Sequence, residues 1–139
     1  MGLLKKMFGG GDGAGDADRG VADIREALDL YRKGRFQEAL AIADKLIAVG
    51  PAVPLSWRFR GECLFSLGRH LEAVESFDKA AAIGGKGTED VFLWAALALH
   101  NGGRPAEAKE RLLRALRADL SPELRTRTQE ALAKLGGAS

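Results

Sequence analysis

One six-residue pattern recurs at an almost fixed interval and limits what this chain can become. Gly34-Arg35-Phe36-Gln37-Glu38-Ala39 returns as Gly68-Arg69-His70-Leu71-Glu72-Ala73, and again as Gly103-Arg104-Pro105-Ala106-Glu107-Ala108. The two intervals are 34 and 35 residues. A period of that length marks an array of helix-turn-helix units, none of which can bury its apolar face without a neighbour. Ala and Leu dominate the apolar residues and β-branched residues are few, so the array is expected to be helical throughout.

Hydrophobic spacing fills in the elements around the three turns. From Val21, the residues Ile24, Leu28 and Tyr31 recur at helical spacing, with Ala27 and Leu30 on the neighbouring face. Gly34 ends that helix, because glycine accepts the left-handed conformation a tight stop needs. Phe36 to Val49 is the second helix, with an apolar stripe of Ala39, Leu40, Ala43, Leu46 and Ile47, closed by Gly50-Pro51. Pro54 opens the second unit, whose first helix carries Trp57, Gly61, Leu64 and Phe65; Gly61 is small where paired helices must approach closely, and Trp57 and Phe77 are large where a gap must be filled. Its second helix, Leu71 to Ile83, turns Ala73, Val74, Phe77, Ala80 and Ala81 inward. Gly84-Gly-Lys-Gly87 is a loose turn holding the one-residue insertion, and Thr88 is the expected N-cap of the third unit. Phe92, Ala95, Ala96 and Leu99 lie in its first helix and Ala108, Leu112, Ala115 and Leu116 in its second. A last helix from Ser121-Pro122 to Leu135 has one apolar face and a polar remainder, as a terminal cap requires.

The expected organisation is a flexible segment over 1–20, an array over 21–135 and a tail over 136–139. Within the array the units cover about 21–53, 54–88 and 89–120, with the cap at 122–135. Gly9 to Gly20 has the Gly/Asp-rich composition of a linker. Ahead of it, Leu3, Leu4, Met7 and Phe8 flank Lys5 and Lys6, a short amphipathic hook suited to a membrane surface or a partner groove. No apolar run approaches the ~20 residues of a membrane span. Lys6 stands where a myristoylation signal wants Ser or Thr. Twenty-one basic residues face nineteen acidic ones, well mixed, for a net charge of +2, so no nucleic-acid partner is implied. Cys63 is the only cysteine, which fits a reducing, cytoplasmic setting.

In these positions the chain resembles the tetratricopeptide repeat family. The middle unit carries the resemblance best, through Trp57, Gly61, Leu64, Gly68, Ala73, Phe77 and Ala80. The first unit follows at Ala27, Leu30, Gly34, Phe36, Ala39 and Pro51, and departs at Ala43 and Leu46. The third matches at Phe92, Ala96, Leu99, Gly103, Ala108, Leu112 and Ala115, without the closing proline. The resemblance implies an all-α, right-handed superhelical solenoid of three helix-turn-helix units plus a capping helix. It also implies a non-enzymatic interaction module that holds a peptide or helix of a partner protein in a concave groove. The groove residues it implies are Ile24, Leu28, Tyr31 and Arg32 in the first unit, Arg58, Glu62, Phe65 and Ser66 in the second, and Leu93, Leu97, His100 and Asn101 in the third. Some family members clamp a carboxylate tail there, but Ile24 and Leu28 stand where that clamp wants Lys and Asn. An apolar or amphipathic segment suits this lining better. The alternative is a membrane-proximal assembly factor using residues 1–8 as the hook. Short arrays also pair with themselves, so a homo-oligomer is a further expectation.

No catalytic, cofactor or metal constellation competes with this reading. Cys63 sits mid-helix at a packing position and His70 lies past a turn, so a buried thiol is expected in place of a nucleophile–base pair. His100 has no second ligand at helical spacing. Gly84-Gly-Lys-Gly-Thr88 lacks the order of a phosphate loop and follows a helix where that loop follows a strand. Arg104, Arg111, Arg114 and Arg117 interleave with Glu107 and Glu110, as on a solvated helix face.

Overall fold

The computed structural model describes residues 14–136. The hook residues Leu3, Leu4, Lys5, Lys6, Met7 and Phe8 lie outside the described residues, as do the last three of the tail. Among the described residues seven helices follow one another: α1 (Ala14–Arg32), α2 (Phe36–Val49), α3 (Pro54–Ser66), α4 (His70–Ile83), α5 (Val91–Asn101), α6 (Pro105–Leu116) and α7 (Pro122–Gly136). Each packs on the next along the chain, and α5 also meets α7. Contact mainly between sequence neighbours is what stacked units produce. The chain is an all-α helical-repeat solenoid.

The recurring hexapeptide does the same work at each turn. Gly34, Gly68 and Gly103 take left-handed φ values of +78°, +78° and +86°. The next amide then reaches back five residues: Arg35 N donates to Leu30 O at 2.8 Å, Arg69 N to Leu64 O at 2.9 Å and Arg104 N to Leu99 O at 2.8 Å. This bond satisfies a carbonyl that the helix end would otherwise leave open. Each arginine is the N-cap of the following helix and pairs with the glutamate three residues on, at 2.7, 2.7 and 3.8 Å. These pairs are exposed and hold the first turn without adding much stability. The closing alanines Ala39, Ala73 and Ala108 are completely buried.

Packing between units alternates small and large groups. Gly61 lets α4 come close: a Cβ there would stand 2.7 Å from Cε1 of Phe77, whose ring is wholly buried. Phe77 in turn stacks on Trp94 of α5, with ring centroids 6.3 Å apart. Leu64, Leu99 and Leu112 complete the line of fully buried large side chains through successive units. Arginines add links between helices. Arg60 bonds Asp44 of α2 at 2.8 Å and Ser76 of α4 at 2.6 Å. Arg111 of α6 forks onto Asp78 of α4 at 2.7 and 3.1 Å.

Four expectations need correction. The first helix begins at Ala14 and not Val21, so residues 14–20 continue the helix that composition assigned to the linker. Extending an existing helix is far easier than nucleating one, and Val21–Arg32 supplies the nucleus. The third unit's helix begins at Val91, and Thr88 does not cap it. Its hydroxyl instead donates to Gly85 O at 2.7 Å, closing the turn within the glycine-rich insertion. In α4, Ala81 faces solvent and Ser76 is the buried residue. Hydropathy missed this because Arg60 satisfies the serine hydroxyl. Trp57 is half-buried and fills no core gap: its indole donates to Pro51 O at 2.8 Å, and Lys79 lies over its ring. By contrast Ser121 does cap α7, its Oγ accepting from Leu124 N at 3.2 Å.

Candidate partner groove

The first helices of the units, α1, α3 and α5, lie side by side, and α7 follows α5 in the same position. Aromatic contacts fix this arrangement. Tyr31 near the end of α1 meets Phe59 of α3 at 5.7 Å between centroids. One repeat later, Phe65 near the end of α3 meets Trp94 of α5 edge-on at 5.9 Å. Tyr31 Oη and Ser66 Oγ, 3.3 Å apart, join the last turns of α1 and α3. Each aromatic also braces its own turn, Tyr31 against Phe36 at 5.1 Å and Phe65 against His70 at 4.9 Å.

Between α5 and α7 the surface opens into a cavity of about 340 Å³. Leu93, Trp94, Ala96 and Leu97 form one wall, Ala131 and Leu135 the other, and Arg127, Glu130 and Lys134 the charged rim. An apolar floor with a polar rim is the general character of a recognition site. Leu97 is 36% exposed and Leu28, its counterpart two units earlier, is 40% exposed. Ile24 and Tyr31 are half-buried against the core, and Arg32, Ser66 and Asn101 are exposed on the last turns.

The middle unit behaves differently. Arg58 donates to Gly87 O at 2.6 Å and to Asp90 Oδ1 at 2.8 Å, which ties α3 to the α4–α5 turn. Glu62 sits 3.6 Å from the same guanidinium. Burial pushes the Glu62 carboxyl above its ordinary range, with Arg58 opposing that shift and Asp90 adding to it. Asp90 is shared with Arg127 of α7 at 3.4 Å. Arg58 is therefore engaged within the protein, whereas Leu28 and Leu97 are not covered. Trp94, Phe59 and the α7 residues were missing from the sequence-derived set. The 35-residue offset from Phe59 to Trp94 was the signal that marked them as one position in two units.

Cys63 is fully buried, and burial pushes its thiol up to about 12. His70 and His100 each bury Nδ1 without a hydrogen-bond partner. Among the described residues no group of three His, Cys, Asp or Glu is placed to hold a metal ion, and no helix is long and apolar enough to cross a membrane. The basic run on α6 is neutralised where it stands: Arg111 also approaches Glu107 at 3.7 Å and Arg114 pairs with Glu110 at 2.9 Å.

The profile of the tetratricopeptide repeat family matches residues 24–87. No curated protein matches the chain. Among solved structures, the type III secretion chaperone SycD of Yersinia enterocolitica, in complex with a peptide of the translocator YopD, superposes with a TM-score of 0.73 at 22% identity, covering 87% of this chain and 95% of that one. SycD in an alternative dimer gives 0.70 at 21%, covering 84% and 91%. The N-terminal domain of stress-induced protein-1 (STI-1) from C. elegans gives 0.68 at 20%, covering 82% and 94%. At such identities these structures attest the fold. The family match over residues 24–87, the three Gly-Arg-x-x-Glu-Ala turns and the stacked helix pairs together make this chain similar to tetratricopeptide-repeat proteins.

Proposed function

We propose that the chain is a protein-interaction adaptor that holds an apolar or amphipathic segment of a partner protein along α1, α3, α5 and α7. The observation that carries this reading is the open apolar floor of Leu93, Trp94, Leu97, Ala131 and Leu135, with Leu28 a separate exposed apolar point on α1. An exposed leucine costs little singly, but a shaped apolar cleft with a charged rim gains from being filled, at roughly 25 cal/mol per Å² of apolar surface covered. An amphipathic helix or an extended segment with spaced apolar side chains meets that shape. The SycD structure that this fold resembles is bound to a translocator peptide, which supports a protein segment as the occupant.

The test is Leu28→Glu/Leu97→Glu. Both residues are exposed, so the fold should survive, as circular dichroism would show. Affinity capture with the native chain and the variant, read by mass spectrometry, should find a partner that the native chain retains and the variant loses. Equal retention by both would place the working surface elsewhere.

A further inference from the structure

Carboxylates border the open floor of the groove on both sides, and the arginines beside them are drawn to one end. Over its eleven residues α5 carries no Lys, Arg, Asp or Glu, so Leu93 and Leu97 meet the groove from an uncharged helix. On the α3 side stands Glu62, at the position in its unit that Leu97 holds in the next. On the α7 side Glu130 lines the same cavity as Leu97. Arg58 of α3 and Arg127 of α7 occupy equivalent positions and converge on one carboxylate at the start of α5, Asp90, at 2.8 and 3.4 Å. Arg58 also donates to Gly87 O and leaves Glu62 at 3.6 Å. Glu130 forms no ion pair among the described residues, and Lys134, the free cation of this rim, lies one turn further along α7. At the level of Leu97 the floor is therefore apolar between two incompletely matched anions.

We infer that the groove takes a partner segment in which one large apolar residue is flanked on each side by a lysine or arginine. The apolar residue enters between Leu93, Leu97 and Ala131, one cation meets Glu62 and the other meets Glu130. This rests on the groove reading given above and adds to it the charge of the occupant.

Cavity size and helix spacing define the segment further. One helical turn, about 10 Å wide and 5.4 Å long, occupies about 420 Å³. The cavity holds about 340 Å³, room for a side chain and not for a helix. Neighbouring packed helices lie about 8–10 Å apart. In polyproline II geometry every third side chain returns to the same face after about 9.3 Å, so such a chain crossing from α3 over α5 to α7 presents basic-x-x-apolar-x-x-basic. Glu62 is half-buried, and burial pushes its carboxyl above the ordinary range with Arg58 opposing that shift. Arg58 also repels an arriving cation, but its charge is shared with Asp90. In this partly desolvated setting a cation beside Glu62 gains more than it would at a fully exposed carboxylate. An acidic segment meets two like charges and is rejected.

The test is selection from a random peptide library displayed on phage, against three immobilised full-length proteins: the native chain, Glu62→Gln/Glu130→Gln and Leu97→Glu, each confirmed folded by circular dichroism. The native chain should enrich peptides with a large apolar residue and a Lys or Arg about three residues to either side. The Gln variant should keep the apolar preference and lose the basic one. A synthetic copy of the best peptide should bind the native chain on the order of tenfold more tightly than the Gln variant, and should lose affinity as salt is raised. Leu97→Glu should not retain it. Apolar peptides enriched without flanking cations, or a basic preference that survives in the Gln variant, would overturn the inference, and sensitivity to Leu97→Glu would then leave the groove reading standing. Equal binding to Leu97→Glu would overturn both. Absence of any enrichment over the bare support would also overturn the inference.

Discussion

The approach of α3 to α4 should be visible as energetic coupling between Gly61 and Phe77. Phe77→Ala removes a wholly buried ring and should cost about 3–5 kcal/mol. Gly61→Ala adds two opposed effects. Alanine is better than glycine inside a helix by about 0.8–1 kcal/mol. Its methyl group, however, would stand 2.7 to 3.0 Å from Cε1, Cδ1 and Cζ of Phe77. The ring is buried and stacked on Trp94, so it has little room to withdraw, and overpacking of this kind costs about 1–3 kcal/mol. In the native background the balance should be a loss of up to about 2 kcal/mol. In the Phe77→Ala background the clash is gone, and Gly61→Ala should stabilise by about 1 kcal/mol. The cycle therefore predicts a coupling of about 1–3 kcal/mol, with Gly61→Ala changing sign between backgrounds. Urea unfolding of the four proteins measures it, with sucrose added to keep a folded baseline for the weakest. Additivity within about 0.5 kcal/mol would refute the close approach.

The repeat turn offers a simpler case. Gly68 has φ +78° and open space around the built Cβ, so Gly68→Ala should cost about 1–2 kcal/mol through the backbone alone, and Gly68→Asn should recover part of it in the same urea assay. Cys63, with its thiol pushed up to about 12 and no exposed surface, should resist alkylation in the native state at about pH 8 and react on unfolding; rapid native labelling detected by mass would show the site is open. Glu62 sets a pH dependence. Its folded value lies above the ordinary 4.5, so its contribution favours the folded state fully below that value and is lost as pH rises through the folded one. Relative to Glu62→Gln, the native chain should lose stability as pH rises from about 4.5 through the raised folded value, and parallel profiles would disprove it.

What the sequence disclosed well is what repeats. Three copies of one turn supplied the helix stops and the buried alanines, and the spacing within the middle unit marked Gly61 as a small position and Phe77 as a large one. What it concealed depends on single partners or on cooperative extension. Ser76 looked like surface until Arg60 was found to satisfy it. Arg58 looked like a groove residue because its position in the unit is that of Ile24 and Leu93, and only the loop brought to it by the insertion reveals its engagement. Thr88 looked like a cap because the sequence does not show that its hydroxyl closes the Gly85 turn first. The start of α1 was hidden because glycine-rich composition describes what residues prefer alone, and Val21–Arg32 gives them a helix to extend. The α7 wall was out of view because a cap is defined by what it covers.

The character of the candidate groove follows from the one residue by which the array departs from its period. Position for position, Ile24, Arg58, Leu93 and Arg127 are equivalent, and so are Leu28, Glu62, Leu97 and Ala131. The insertion lies in the turn between α4 and α5, where Gly84, Gly85 and Gly87 all take left-handed φ values of +76°, +101° and +90°. A turn so rich in glycine has much conformational freedom to lose on folding and needs an external restraint. Arg58 supplies it, through Gly87 O and Asp90, and Asp90 extends the link to Arg127 of the cap. An apolar residue at position 58 would continue the floor laid by Ile24 and Leu93, but it would leave this turn without its tie to α3. The array therefore holds its third unit in register at the expense of an unbroken apolar channel. The proposed groove then has two apolar stretches separated by Glu62, so an occupant would be selected by the spacing and charge of its anchors as well as by its hydrophobicity.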